Sequence, residues 1–223
     1  LMILAYNLET FGLWVFLISI PSILSIFNFN LNAAAKTEMS IYFNKKNYTR
    51  INLIFNNSLI SSIIIIFLFA IISFIFFIFF QLDLKILNNI SSNKNLILFC
   101  IFFAFFIDLF NGVFVTSITF FGRIDINSYL EVFFDFSGKA LVVITGFFFS
   151  DLLIASIFFL GNSVIKIFIY YYFYITLNKK LIYFNSKLFS KKEIIRLIKL
   201  SIPHYLETLT FIIRNSLQII LLG

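Results

Sequence analysis

The chain is poor in the residues on which most enzyme chemistry rests. It holds one cysteine, one histidine, two prolines and one tryptophan in 223 residues. The lone Cys100 lies in an apolar run, which excludes an intrachain disulfide or a cysteine metal cluster. His204 follows Pro203 at a predicted helix entrance, where an interfacial role is expected ahead of proton transfer. No G-x-S-x-G elbow, Walker A loop, H-E-x-x-H motif or Cys/His metal spacing occurs, and neither a metal nor a cofactor is expected. Charge is scarce as well: 12% of residues are Asp, Glu, Lys or Arg, against about 25% in soluble domains. The net charge of +7 does not point to nucleic acid, because the basic residues concentrate between apolar segments rather than along a phosphate-tracking groove.

What the chain has instead is apolar length. It is 61% hydrophobic, with 35 phenylalanines that, beside abundant Ile, Asn and Lys, read as AT-rich codon usage rather than an aromatic ligand site. Residues Leu59 to Phe80 give 22 consecutive residues without a charge. At about 1.5 Å per residue they cross a hydrocarbon core of about 30 Å. The expected fold is all-α, a polytopic transmembrane bundle of about six spans. These are placed at Phe11–Leu31, Leu53–Phe80, Leu96–Phe121, Tyr129–Phe149, Leu152–Ile175 and from Ile202–Pro203 to the end. Proline is tolerated in a first helical turn, and Tyr170, Tyr171, Tyr172 and Tyr174 read as an interfacial belt.

Loop charges orient the bundle. Twelve Lys and Arg residues fall between the first and second, third and fourth, and fifth and sixth spans, whereas the loop after the second span has only Lys85 and Lys94. The positive-inside rule makes the first set cytoplasmic and places Leu1–Thr10 outside. An external start without a signal peptide, and an end in an apolar helix, read as a piece of a longer protein. Met2 is the alternative start. Residues 178–200 read as a cytoplasmic amphipathic linker helix opened by a Ser190/Glu193 capping box. Residues 1–177 then form a five-span bundle, and residues 201–223 the first helix of a second lobe.

Four charges interrupt the spans: Asp108, Lys139, Lys166 and Arg214. A charge at mid-membrane costs a few kcal/mol even on insertion scales, so it lines a polar cavity, pairs, or snorkels. Glu131, Asp135 and Lys139 recur every four residues on one face of the fourth span, with Gly138 and Gly146 close to the same stripe. Glu207 and Arg214 make a comparable stripe on the last span. Lys139 sits about 15 Å and Arg214 about 18 Å from the cytoplasmic side at the helical rise, and Asp108 reaches a similar depth from the outer side. Two readings stand: a salt-bridge cluster joining Asp108 to Lys139 or Arg214, or a cationic lumen in which Lys139 and Arg214 attract an anion. Lys166, near the tyrosine belt, is expected to snorkel outward.

Several stretches carry a family resemblance. Glu9-Thr-Phe-Gly-Leu-Trp14, then Ser19-Ile-Pro and Asn28-Phe-Asn-Leu-Asn-Ala-Ala34, resembles the second helix of polysaccharide flippases, the O-antigen and exopolysaccharide exporters of the multidrug/oligosaccharidyl-lipid/polysaccharide superfamily. Asn28 stands where that pattern has an acid, and Asn30 where it has glycine. Leu200-Ser-Ile-Pro203 is similar to the Gly-Leu-Pro entrance of the seventh helix, with Ser201 replacing the glycine. The resemblance covers about 25 residues in recognisable motif. It implies most of the N-terminal lobe of a two-lobed flippase in the bacterial cytoplasmic membrane. Its partners would be membrane lipid, a lipid-pyrophosphate-linked oligosaccharide and a coupling ion, proton or sodium. Asp108, Glu131, Asp135, Lys139, Glu207 and Arg214 would line its lumen. Two alternatives remain: a multi-pass enzyme of polysaccharide assembly (polymerase or acyltransferase), and a small-solute or drug exporter of the same superfamily.

The charge count makes a direct prediction. In a background lacking Cys100, cysteines replacing Lys45 and Lys187 should be shielded from a membrane-impermeant thiol reagent in whole cells, and one replacing Asn88 should react. Labelling at position 45 but not at 88 reverses the orientation.

Overall fold

The computed structural model describes Tyr6 and residues 8–24, 31–80, 94–178 and 182–222. Side chains are described at Tyr6 and at 10–19, 31–72, 95–177, 182–185, 187–207 and 209–210. Within these ranges the chain is mostly helical and has no strand. Seven α-helices follow one another: α1 (Leu8–Leu24), α2 (Leu31–Asn44), α3 (Tyr48–Phe80), α4 (Lys94–Phe120), α5 (Ile124–Phe149), α6 (Leu152–Asn178) and α7 (Lys191–Leu222). Four stretches are long and apolar enough to cross a membrane: Tyr48–Ile72, Asn95–Phe120, Ile124–Phe149 and Leu152–Leu177. The protein is thus an all-α, multi-pass membrane protein.

Two expected boundaries move. The run placed at Phe11–Leu31 falls within α1 (Leu8–Leu24) and, at Leu31, the first residue of α2, with residues 25–30 outside the described residues. That second helix buries Leu31, Ala34, Ala35 and Met39 on one face and exposes Thr37 and Ile41 on the other. It is amphipathic and packs on α3 and α4. At the other end, the predicted linker helix and last span are one helix, α7, with Pro203 inside it. The proposed division at residue 200 therefore falls within an unbroken helix. Its buried residues Glu193, Leu197 and Ser201 recur every four positions, the stripe by which a helix docks on a neighbour.

Short turns set the order of the central spans. Gly122, with φ +78°, closes the turn between α4 and α5, where a side chain would be strained. Ser150 adopts the left-handed conformation after α5, and its N–H is bonded to the carbonyls of Thr145 and Gly146. Asp151 then caps α6 by accepting the Leu153 N–H at 2.8 Å. Two tight reversals leave α4 and α6 parallel, and they pack closely along their length.

Apolar clusters mark the two ends. One joins Trp14, Leu17, Ile97, Ile101, Val142 and Ala155. Beside it the Tyr6 hydroxyl donates to the Val142 carbonyl at 3.1 Å, and its ring lies over Gly146, where any Cβ would strike it. The other cluster joins Met39, Ile51, Phe55, Phe120, Ile182 and Leu197. The segment before α3, the α4–α5 turn with Arg123 and the stretch ahead of α7 therefore gather at one end of the bundle, opposite Tyr6 and Trp14.

That end is tied by polar side chains from α3. Asn52 accepts the Tyr183 N–H at 2.9 Å. Asn56 accepts the Asn185 N–H at 2.7 Å and donates to the Tyr183 carbonyl at 3.0 Å. Asn57 accepts the Ser190 N–H at 2.8 Å and donates to the Leu188 carbonyl at 3.0 Å. A primary amide offers the same donor and acceptor as a peptide group, so these side chains serve the non-helical backbone before α7 as a neighbouring strand would. Ser190 does cap α7, its Oγ accepting the Glu193 N–H at 3.4 Å. The return half of the expected capping box is replaced. Glu193 turns to Arg50, at 2.8 Å, and to Arg196, at 2.9 Å, while Arg196 also pairs with Glu38. Burial works against the charge on Arg196, but the carboxylates of Glu38 and Glu193 outweigh it and raise its pKa. The four side chains lock α2, α3 and α7 together.

Asn56→Leu keeps the helix but leaves a peptide N–H and a carbonyl without partners, each costing about 1–3 kcal/mol when buried. The segment before α7 should detach, and tryptic cleavage at Lys187 in detergent-solubilised protein should accelerate at least tenfold over wild type. Unchanged cleavage would show that the amide ladder holds nothing.

Candidate functional site

Between the spans lies a cavity of about 430 Å³. Its wall takes Asn32 and Lys36 from α2, Asp108, Asn111 and Thr116 from α4, Asn127 and Glu131 from α5, and Lys166 and Tyr170 from α6. Along α4 it extends from Phe105 to Thr119, about 20 Å at the helical rise, toward the end where the basic segments gather.

Each wall is held by a local contact. Asn32 Oδ1 accepts the Ser58 hydroxyl at 3.2 Å, and Thr116 Oγ1 reaches the Asn32 carbonyl at 3.3 Å. The Asn32 amide also presses on Gly112, where a Cβ would lie 2.6 Å from its nitrogen. Tyr170 is fully buried and its hydroxyl donates to Asn127 Oδ1 at 3.2 Å. Beyond the cavity, Ser137 donates to Asn162 Oδ1 at 2.8 Å, and Asn162 donates to the Phe134 carbonyl at 3.1 Å. Gly138 allows this approach, since a Cβ there would sit 3.0 Å from the Asn162 amide. Gly138 thus serves helix packing, while Gly146 seats the Tyr6 ring.

The charge pair at the centre joins Asp108 to Lys166 and not to Lys139. Asp108 Oδ1 lies 3.1 Å from Lys166 Nζ, with the lysine side chain 17% and the aspartate 35% exposed. The contact is an ion pair without hydrogen-bond alignment, for Oδ1 accepts no hydrogen bond, while Ser163 donates to Oδ2 at 3.3 Å. Lys166 therefore does not snorkel. It lies twelve residues before the end of α6, and Asp108 lies twelve before the end of α4. In parallel helices that is one depth, about 18 Å from the shared end.

The other predicted residues separate. Glu131 lines the cavity, whereas Asp135 and Lys139, one and two turns further along α5, are exposed outside it. Lys139 makes no ion pair with Asp108. Glu207 is exposed on α7, and the side chain of Arg214 lies outside the described residues, as do Asn28 and Asn30. Lys36, Asn32, Asn111 and Asn127 are additions that the loop-charge count and the span boundaries concealed. Comparison with protein-family models, curated proteins and solved structures finds no match to this chain.

Gly112→Ala should push Asn32 off Ser58 and destabilise the protein by about 1–3 kcal/mol, the cost of leaving a buried polar group unpaired. Gly161→Ala, where nothing lies within 4 Å of the new methyl, should be neutral or stabilising because alanine favours helix. Thermal unfolding of both variants in one detergent checks the contrast; equal midpoints would show that the Asn32 contact yields.

Proposed function

We propose that this chain forms the substrate-handling part of a membrane transporter that moves an anionic, lipid-linked oligosaccharide across the bacterial cytoplasmic membrane. The carrying observation is the cavity: a polar space between apolar spans, lined by the cations of Lys36 and Lys166 beside the carboxylates of Asp108 and Glu131. Hydrocarbon disfavours such groups, and ligand pockets commonly occupy about 300–1,000 Å³. The volume suits a phosphate-bearing headgroup with its first sugars, leaving a lipid tail in the bilayer. Asparagine and threonine on the wall supply the donors and acceptors that sugar hydroxyls use. Lysine attracts phosphate as a point charge and imposes no fixed geometry, which fits a ligand that enters and leaves.

The stripe of Glu131, Asp135 and Lys139 supports the same reading. It is exposed on a helix long enough to span, and charges at that depth face water or protein rather than lipid. In a transporter this face borders the water-filled path. The motif resemblance near Trp14 and Pro203 supplies the choice of lipid-linked sugar over other anions.

The test is carried out in cells whose own gene is deleted. Lys166→Gln should abolish surface polysaccharide and leave lipid-linked precursor on the cytoplasmic side. Asp108→Asn combined with Lys166→Gln removes both charges, so it should reach wild-type membrane abundance yet still fail to export. If the double variant restores export, the pair is structural and the transport role of Lys166 is wrong.

A further inference from the structure

The end of the bundle where the basic segments gather matches its acids with arginines and leaves its lysines over. Glu38 pairs with Arg196, Glu193 with Arg50 and Arg196, and Asp125 with Arg123. Among the described residues, Lys187, Lys191, Lys192 and Lys199 form no ion pair. Helix α7 carries most of them, and it has two faces. Glu193, Leu197 and Ser201 are buried against the bundle. On the other side Ile195, Ile198, Ile202 and Leu206 follow at three- and four-residue steps, which makes one stripe along the helix, and each is between 38% and 56% exposed. Lys191 opens the stripe one turn before Ile195, Lys192 and Lys199 border it, and all three are exposed. Ahead of the helix, Phe184 and Phe189 are exposed on either side of Lys187. Glu193 is the only acid between residues 179 and 206, and it is turned inward. The outward surface there is therefore apolar and cationic.

A contiguous exposed apolar stripe marks a contact surface, and the charges around it decide with what. A second copy of the chain would bring its own lysines against these, and like charges facing across an interface repel. Hydrocarbon alone would cover the stripe but strand the ammonium groups. The boundary between headgroups and acyl chains meets both demands. Aliphatic side chains enter the acyl region there, while lysines extend along their methylene stems to the phosphates. The positive-inside rule turns this end toward the cytoplasmic leaflet, whose anionic lipids attract clustered lysines.

We propose that the outward face of α7, with the segment just before it, is a docking surface for anionic phospholipid headgroups at the membrane boundary. Lys187, Lys191, Lys192 and Lys199 hold the headgroup phosphates, and the stripe from Ile195 to Leu206 is the apolar anchor. Arg50 and Arg196 take no part, because Glu38 and Glu193 already occupy them. The clamp that locks α2, α3 and α7 thus has a second effect. It removes the one acid from the surface, and by seating Glu193 it fixes the rotation of α7 so that the stripe faces outward. None of these lysines or stripe residues lines the cavity, so the docking surface is independent of what the cavity carries.

The whole chain is reconstituted in phosphatidylcholine nanodiscs, in a Cys100→Ser background with a fluorophore on Ile195→Cys. A trace of spin-labelled lipid, either phosphatidylglycerol or phosphatidylcholine with the label at the same acyl position near the headgroup, quenches the fluorophore on contact. Phosphatidylglycerol should quench at least about fivefold more effectively, the preference expected of a single lysine near the surface. Salt at about 1 M, which shortens the Debye length to about 3 Å, should erase the preference. Lys191→Gln, Lys192→Gln and Lys199→Gln together should erase it too, and the salt arm decides the matter if that variant fails to accumulate. A fluorophore on Phe148→Cys, exposed toward the opposite end of the bundle, should report no preference. Equal quenching by the two lipids at position 195 overturns headgroup docking. Quenching by neither lipid overturns it as well, since a second copy or a further part of a longer chain then covers the face. A preference that survives salt or the triple variant, or that is as strong at position 148, also sinks the proposal.

Discussion

A polar side chain on an apolar helix has to find its partner inside the bundle, and this requirement decides which helices of the chain meet. Helical backbone groups satisfy one another within each span, so they say nothing about neighbours. Apolar side chains pack against lipid about as well as against another helix. The discriminating contacts are therefore the few polar ones. Asn56 and Asn57 bind the backbone ahead of α7, Asn162 joins α6 to α5, Asn32 joins α2 to α3, and Asp108 meets Lys166 between α4 and α6. Asparagine recurs because one side chain supplies both a donor and an acceptor without the cost of burying a charge.

The network at the basic end is satisfied and the one at mid-depth is not. Glu193, 6% exposed, is shared by two guanidinium groups, an arrangement that offsets desolvation with fork-shaped, charge-assisted hydrogen bonds. Two oxygens in the cavity wall lack donors, at about 1–3 kcal/mol each if they stay dry. A fold that pairs its polar groups so thoroughly elsewhere has room for a lysine-to-carboxylate contact with better alignment here. The looser contact that it holds leaves both groups on the wall of the cavity.

Four of the six expected spans and the end at which the basic loops gather were legible in the sequence, since apolar length and loop charge are set by the bilayer itself. The pairing of Lys166 was misread because a lysine near an aromatic belt has the reach to snorkel, and reach alone does not identify a partner. The signal was nevertheless present in the equal distances of Asp108 and Lys166 from the ends of two helices that short turns force to be parallel. Asn52, Asn56 and Asn57 on one apolar helix likewise announced a polar neighbour without saying which. Helix α2 was concealed because Leu31, Ala34 and Ala35 continue the hydrophobicity of the run before them. Pro203 was taken as a helix start, which its missing N–H permits, yet that loss frees only one carbonyl in a helix of 32 residues.

Depth is what joins the fold to the chemistry. An ion pair near either end of α4 and α6 would be wetted from outside and contribute little. One placed about 18 Å in is reached by water only through the cavity, so whatever occupies that cavity sets the dielectric around the pair. An empty, hydrated cavity screens Asp108 from Lys166 and lets them separate at small cost, whereas a dry or ligand-filled one forces each charge to be matched. The occupant of the cavity and the separation of the two charges are then linked through the same few ångströms of wall. Asn111, one turn from Asp108 and buried, lines the same wall with no donor to its Oδ1 among the described residues.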